Sequence, residues 1–240
     1  MPMQTVLLNL IARILVIGVA FPIHESAHAF VANKLGDPTA RRGGRIDLNP
    51  LSHLDLIPTL ILLAAATVAD VVTRGSTLGN LLLLVTSIFF FHAVPINPFY
   101  FRNRKAGIAL TALAGPLSNV LLGFVFLMIY KGCAYFLPVN NVVTVICSIC
   151  SVVISINLQL AAFNLIPIAP LDGSKILAYF LSDRINYLMM QYERYILMGL
   201  LALLYLTPVL DWFIFWGYRI LYTVIDFLSG WIDLIYFAVR

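Results

Sequence analysis

Two histidines and a glutamate stand within five residues in Phe21-Pro22-Ile23-His24-Glu25-Ser26-Ala27-His28-Ala29-Phe30, inside a run that otherwise reads as membrane-spanning. An ionisable side chain at bilayer depth is costly, so it is read first as a functional residue. Residues four apart on a helix share a face, which lets His24 and His28 aim two imidazoles at one point while Glu25 projects beside it. The order H-E-x-x-H suits metal-assisted hydrolysis: the histidines hold a zinc ion and the glutamate serves as general base on water. The bland alternative is a pair of histidines bonded to backbone across a helix pair. The chain holds four histidines and two glutamates in all, which makes a chance grouping at this depth a poor explanation.

A catalytic zinc usually takes three protein ligands and keeps one position for water. The candidates for the third are His53, His92, Asp47, Asp55, Asp70 and Asp172. Asp172 stands out by its context, Asn164-Leu165-Ile166-Pro167-Ile168-Ala169-Pro170-Leu171-Asp172-Gly173. Two prolines and a glycine break a helix where it carries a carboxylate, and irregular backbone at that depth must be buried or line a wet cavity. His53 and Asp55 suit interfacial capping or support of an imidazole's other nitrogen, and His92 suits packing or a cavity wall.

The elements that must position these groups are helices. Hydrophobic residues make up 61% of the chain and charged residues 11%, against about 25% charged in soluble domains; the mean hydropathy is +0.95. Apolar runs recur at about residues 5–33, 56–73, 78–96, 108–130, 142–165, 195–209 and 212–236, the last two short enough to be one broken element. The expectation is an all-α polytopic membrane protein with six or seven transmembrane helices. A short interfacial β-hairpin or strand is expected after the first helix, from the Gly36-Asp37-Pro38 turn, the Gly43-Gly44 pair and the alternation Arg45, Ile46, Asp47, Leu48. No soluble domain or repeat interrupts the chain, so residues 1–240 read as one membrane-embedded domain, with a core at about 5–180 and C-terminal helices at about 190–240.

Lys34, Arg41, Arg42 and Arg45 follow the first run, Arg102, Arg104 and Lys105 the third, and Lys175, Arg184 and Arg194 the fifth. Basic residues collect in cytoplasmic loops, which predicts an outside N-terminus and a cytoplasmic C-terminus. The net charge of +4 comes from these dispersed loops, so no nucleic-acid partner is expected. The N-terminal run lacks a basic n-region and a small-residue cleavage pattern, and is expected to remain as a helix. Cys133, Cys147 and Cys150 lie in or beside apolar runs and read as packing residues.

With these residues in view, the chain resembles the site-2 proteases, zinc metalloproteases embedded in the membrane. Three blocks carry the likeness: His24-Glu25-Ser26-Ala27-His28; Ala114-Gly115-Pro116-Leu117-Ser118-Asn119; and Asn164 through Gly173. Leu35-Gly36-Asp37-Pro38-Thr39 and Leu48-Asn49-Pro50-Leu51-Ser52-His53-Leu54-Asp55 look like the compact subgroup without a PDZ domain. The resemblance implies Zn2+ held by His24, His28 and Asp172, with Glu25 as catalytic base, and Asn119 and Asn164 holding substrate or ordering the site. It departs at Leu56-Ile57-Pro58-Thr59, where a glycine before the threonine is expected, and at Ala169, where a second proline is common. Substrates would be transmembrane proteins or peptides met in the lipid bilayer of a prokaryotic cell membrane. A helical substrate must unwind before cleavage, and the segment around Gly44 and Ile46 could bind it by strand addition. The rival readings are a non-catalytic membrane protein retaining the fold and a metal or ion transporter.

Overall fold

A computed structural model describes residues 3–47, 49, 56–72, 94–206 and 209–239, and every regular element among them is helical. Helices α1 (Met3–Leu15) and α2 (Phe21–Lys34) run on through a π-helical turn, Val16–Ala20. The turn has a local cause in Pro22, which has no N–H and whose ring clashes with the carbonyl four residues back. The Phe21 N–H instead bonds the Val16 carbonyl five residues back, so the ladder widens by one residue just ahead of the proline. After α3 (Thr39–Arg42) come α4 (Leu56–Val72), a 3-10 turn at Pro98–Tyr100, α5 (Arg104–Phe136) and α6 (Asn141–Asn164). Short α7 (Asp172–Ala178) and α8 (Asp183–Gln191) lead to α9 (Glu193–Leu206), α10 (Val209–Leu228) and α11 (Gly230–Val239).

Helix α5 has the inverted pattern of a membrane helix. Gly107, Thr111, Gly115, Asn119, Gly123, Leu127 and Lys131, spaced by four, are buried, whereas Leu110, Leu113, Leu117, Leu121, Val125 and Ile129 are exposed. Small and polar residues face the neighbouring helices because close approach replaces hydrophobic exclusion where the solvent is lipid. Along that face α5 packs against α6 and α2.

Three described helices are long and apolar enough to cross a membrane, Thr5–Lys34, Arg104–Phe136 and Asn141–Asn164. A fourth qualifies if Trp212–Leu228 and Gly230–Ala238, bent by 45° at their junction, form one span. The expected count of six or seven is therefore not reached among the described residues. α4 has 17 residues and α9 has 14, while the expected run at 78–96 lies almost entirely outside the described residues.

The hairpin expected near residues 36–48 is corrected: no strand occurs among the described residues there. Two successive helix caps take its place. α2 ends with Asp37 N–H on the Ala32 carbonyl and Gly36 N–H on the Asn33 carbonyl, Gly36 standing at φ 108°. The one-turn α3 repeats this scheme, with Arg45 N–H on Ala40, Gly44 N–H on Arg41, and Gly44 at φ 68°. Each glycine is needed for the left-handed residue that closes such a cap. The buried Asp37 carboxylate then accepts from Thr39 N, Thr39 Oγ1 and Asn97 N, tying this turn to the segment that leads into α5.

At the opposite end of α5, buried Lys131 donates to Asp226 Oδ1 and Asp233 Oδ2, each at 2.8 Å, and so fastens the bent pair α10–α11 to α5. Lys131→Met leaves two carboxylates without their cation. Asp226 is about half exposed and can rehydrate, so the expected destabilisation is about 1–3 kcal/mol. It would be read as a lower thermal midpoint in detergent, with metal content unchanged.

Candidate active site

One apolar cluster sets the positions of the chemistry-bearing groups. Val16, Ile17, Ala20 and Phe21 pack with Val153, Ile156, Leu160 and Phe163 of α6 and with Ile166 and Leu171 of the following loop. Phe21 stands three residues before His24 and Leu171 one before Asp172. The same packing therefore anchors both halves of the site. Gly173 allows the loop to close this tightly, since a Cβ there would lie 2.3 Å from the Leu165 carbonyl oxygen and 2.4 Å from that of Ile166.

Three buried ligand atoms converge. His24 Nε2 and His28 Nε2 are 3.1 Å apart, and Asp172 Oδ2 lies 3.3 Å from the first and 3.1 Å from the second. Donors around a tetrahedral zinc with bonds near 2.0–2.1 Å stand about 3.3 Å apart, so the spacing suits that ion. The proton inventory points the same way. His28 Nδ1 lies 2.7 Å from the Thr111 carbonyl, so it carries the proton when the ring is neutral, leaving a lone pair on Nε2. That lone pair faces the His24 nitrogen and a carboxylate oxygen. The space among the three atoms must therefore hold either the proton of His24 Nε2 or a cation.

His24 is backed by Asn119 of α5, whose amide nitrogen lies 3.0 Å from Nδ1 and whose Oδ1 is buried with no hydrogen-bond partner among the described residues. For His24 Nε2 to offer a lone pair, Nδ1 must carry the proton and face an acceptor. A half-turn of the amide presents Oδ1 there, and cation binding would select it. Asn119 thus stands behind a histidine in the helix packing, fully buried.

Helix α5 comes close enough to do this because Gly115 faces both imidazoles. A Cβ there would lie 2.3 Å from His28 Nε2 and 2.6 Å from His24 Nε2. Glu25, next to His24, is half-buried and has no ion pair or side-chain hydrogen bond among the described residues. Ser26 donates to the Asp47 carbonyl at 2.7 Å, fixing α2 to the chain beyond α3.

Asn164 donates from its amide to the Leu160 carbonyl of its own helix at 3.0 Å and makes no contact with the three ligand atoms. Gly44 and Ile46 lie on the exposed turn after α3. There the Arg45 N–H and Asp47 C=O are already bonded to Ala40 and Ser26, two main-chain groups that a pairing strand could have used. His53, Asp55 and His92 lie outside the described residues, as does the Asp70 side chain. Sequence reasoning passed over Lys175 as a loop charge; its Nζ is 3.0 Å from Asp172 Oδ1. The signal was its position one helical turn after a carboxylate.

Lys175 also borders a cavity of about 340 Å³ lined by Ile96, Ile108, Ala169, Met189 and Glu193 among others. The whole site lies at one end of three spans, where α2 and α6 finish and α5 begins. That end carries Lys34, Arg41, Arg42, Arg102, Arg104 and Lys105.

Comparison with known proteins gives a consistent set of relatives. A model of peptidase family M50 matches residues 140–207. "Putative zinc metalloprotease YwhC" of Bacillus subtilis is 32% identical over 193 residues, covering 80% of this chain and 78% of that protein. "Putative zinc metalloprotease MJ0611" of Methanocaldococcus jannaschii is 36% identical over 113 residues, covering 44% of this chain and 52% of that protein. No solved structure matches the chain.

Proposed function

The chain belongs to peptidase family M50, the site-2 proteases, and from that premise we propose that it is a zinc-dependent endopeptidase cutting transmembrane substrates within or near the bilayer. The observation that carries the reading is the convergence of His24, His28 and Asp172 with Glu25 beside them, at the basic end of three membrane-spanning helices. These three side chains would hold the zinc. When bound, it would polarise the scissile carbonyl and bring the pKa of its water near 7.

The protein's own groups do the rest. Glu25 takes the proton of the attacking water on its carboxylate and passes it to the leaving amine nitrogen. Thr111 O and Asn119 fix the two imidazoles from behind, so the ligand atoms need little rearrangement as charge develops. The apolar shell of Phe21, Phe163 and Leu171 limits water at the site to what enters from the basic end, which we assign to the cytoplasm. His28 precedes Lys34 by six residues, about 9 Å along a helix, so that path is short.

The test is zinc content and cleavage of a model transmembrane peptide by the purified protein, beside Asp172→Ala. The expected result is one zinc per chain with cleavage, and zinc affinity reduced by at least 10–100-fold in the variant, because one of three protein ligands is gone. A folded protein that binds no zinc would sink the reading.

A further inference from the structure

Asp172 meets the histidines with only one of its two oxygens. Oδ2 faces both Nε2 atoms, at 3.3 and 3.1 Å, while Oδ1 lies 3.0 Å from Lys175 Nζ. The carboxylate side chain is 8% exposed and the lysine 44%, so the ammonium reaches inward from the surface of α7 to a buried atom. The pair is three residues apart at the first turn of that helix, a spacing that brings side chains together.

A lysine is an odd neighbour for a cation site. Its charge repels a divalent ion held one carboxylate away, so its presence is not explained as an aid to metal affinity. What it does control is the carboxylate's second oxygen. A carboxylate beside a cation can offer one donor or two, and a charge-assisted hydrogen bond to Oδ1 leaves one.

We propose that Lys175 is a positioning residue of the zinc site: by occupying Oδ1 it holds Asp172 to a single donor atom and keeps the remaining coordination position open for water and substrate. The inference rests on the metalloprotease reading above and adds to it what sets the ligand count. Lys175 is not one of the three ligand residues and acts through Asp172. Freed of it, Oδ1 can turn to the cation and fill the position that hydrolysis needs. The expectation is therefore a protein that keeps its metal, or holds it more tightly, and works more slowly.

The experiment uses the full chain in detergent, with its metal exchanged for Co2+, comparing the unmodified protein with Lys175→Met and Lys175→Arg. Visible absorption reports coordination number, bands being intense for four-coordinate Co2+ and several-fold weaker for five-coordinate. Lys175→Met is expected to show the weaker bands and undiminished Co2+ retention against a chelator. Its kcat on a model transmembrane peptide should fall by about 10–100-fold with KM little changed. Lys175→Arg is expected to restore both spectrum and rate, because a guanidinium can donate to the same oxygen.

A Met variant with unchanged spectrum and rate would overturn the proposal. So would one that loses Co2+ while its bound fraction keeps the four-coordinate spectrum, since that is what a merely structural lysine predicts. If the unmodified protein binds Co2+ and cleaves nothing, the protease reading fails while the spectral comparison still decides the role of Lys175. If it binds no Co2+, both fail together.

Discussion

Glu25→Gln is expected to remove peptide hydrolysis and leave the metal in place. The glutamate is not one of the three converging ligand atoms, which come from His24, His28 and Asp172. It is half-buried and makes no ion pair or side-chain hydrogen bond among the described residues, so the isosteric amide breaks no polar contact among them. What the amide cannot do is accept a proton from water at neutral pH. Loss of a general base alone lowers a rate by about 10²–10⁴-fold, and a group that also returns the proton to the leaving amine belongs at the upper end. Zinc per chain and cleavage, measured on the same preparation, separate this from a structural role. Zinc retained with cleavage lost supports the assignment; cleavage within a few-fold of the unmodified protein would remove Glu25 from the chemistry.

The part of this site that was legible in the sequence is the part built on helical periodicity. His24 and His28 share a face because they are four apart, and that spacing survives the widened turn at Val16–Ala20, which lies wholly before them. Asp172 was legible as a carboxylate at a broken helix, although its meeting with the histidines depends on packing between α2 and the loop after α6. The turn after α2 was misread for a definite reason. Paired glycines and a short alternation suit a hairpin, but they equally suit a helix cap whose last residue needs positive φ, and local hydrogen bonds from Gly43, Gly44 and Arg45 back to residues 39–41 settled the choice. Span counting by hydropathy is matched only in part among the described residues, where α9 is apolar but 14 residues long. Asn119 was legible by type but not by direction: nothing in Gly115-Pro116-Leu117-Ser118-Asn119 says whether the amide faces substrate or the back of an imidazole.

Gly115→Ala is expected to abolish metal binding without unfolding the protein, and the opposed signs of its two effects make it a sharp test. As a helix-interior change it favours folding, because alanine is the better helix former by roughly 0.8–1 kcal/mol. At this position the added methyl would stand 2.3 Å from His28 Nε2 and 2.6 Å from His24 Nε2, distances no carbon and nitrogen hold without bonding. The rings have little freedom to retreat. His28 is tied through Nδ1 to the Thr111 carbonyl and His24 through Nδ1 to Asn119, so moving either one breaks a buried hydrogen bond, a loss of about 1–3 kcal/mol. The methyl also enters on the side where the two Nε2 atoms face each other, the place a cation would share. Zinc affinity is therefore expected to fall by more than the 10–100-fold typical of altered supporting residues, with the metal-free protein still folded and its stability unchanged or lower by about 1–2 kcal/mol, the helix gain offsetting part of the lost hydrogen bond. Gly123→Ala, two turns along the same face, is the control. A methyl there comes nearest to Leu158 Cδ2 at 3.1 Å, the far end of a flexible side chain, with Leu158 Cγ at 3.4 Å and Asn157 Cβ at 4.0 Å in ordinary contact, and should leave zinc binding intact. Equal zinc content in the two variants would mean that α5 does not approach the histidines as closely as Gly115 implies; loss in Gly115→Ala alone would tie the glycine of the second sequence block to the metal site by a physical cause, the room that two imidazoles need against a neighbouring helix.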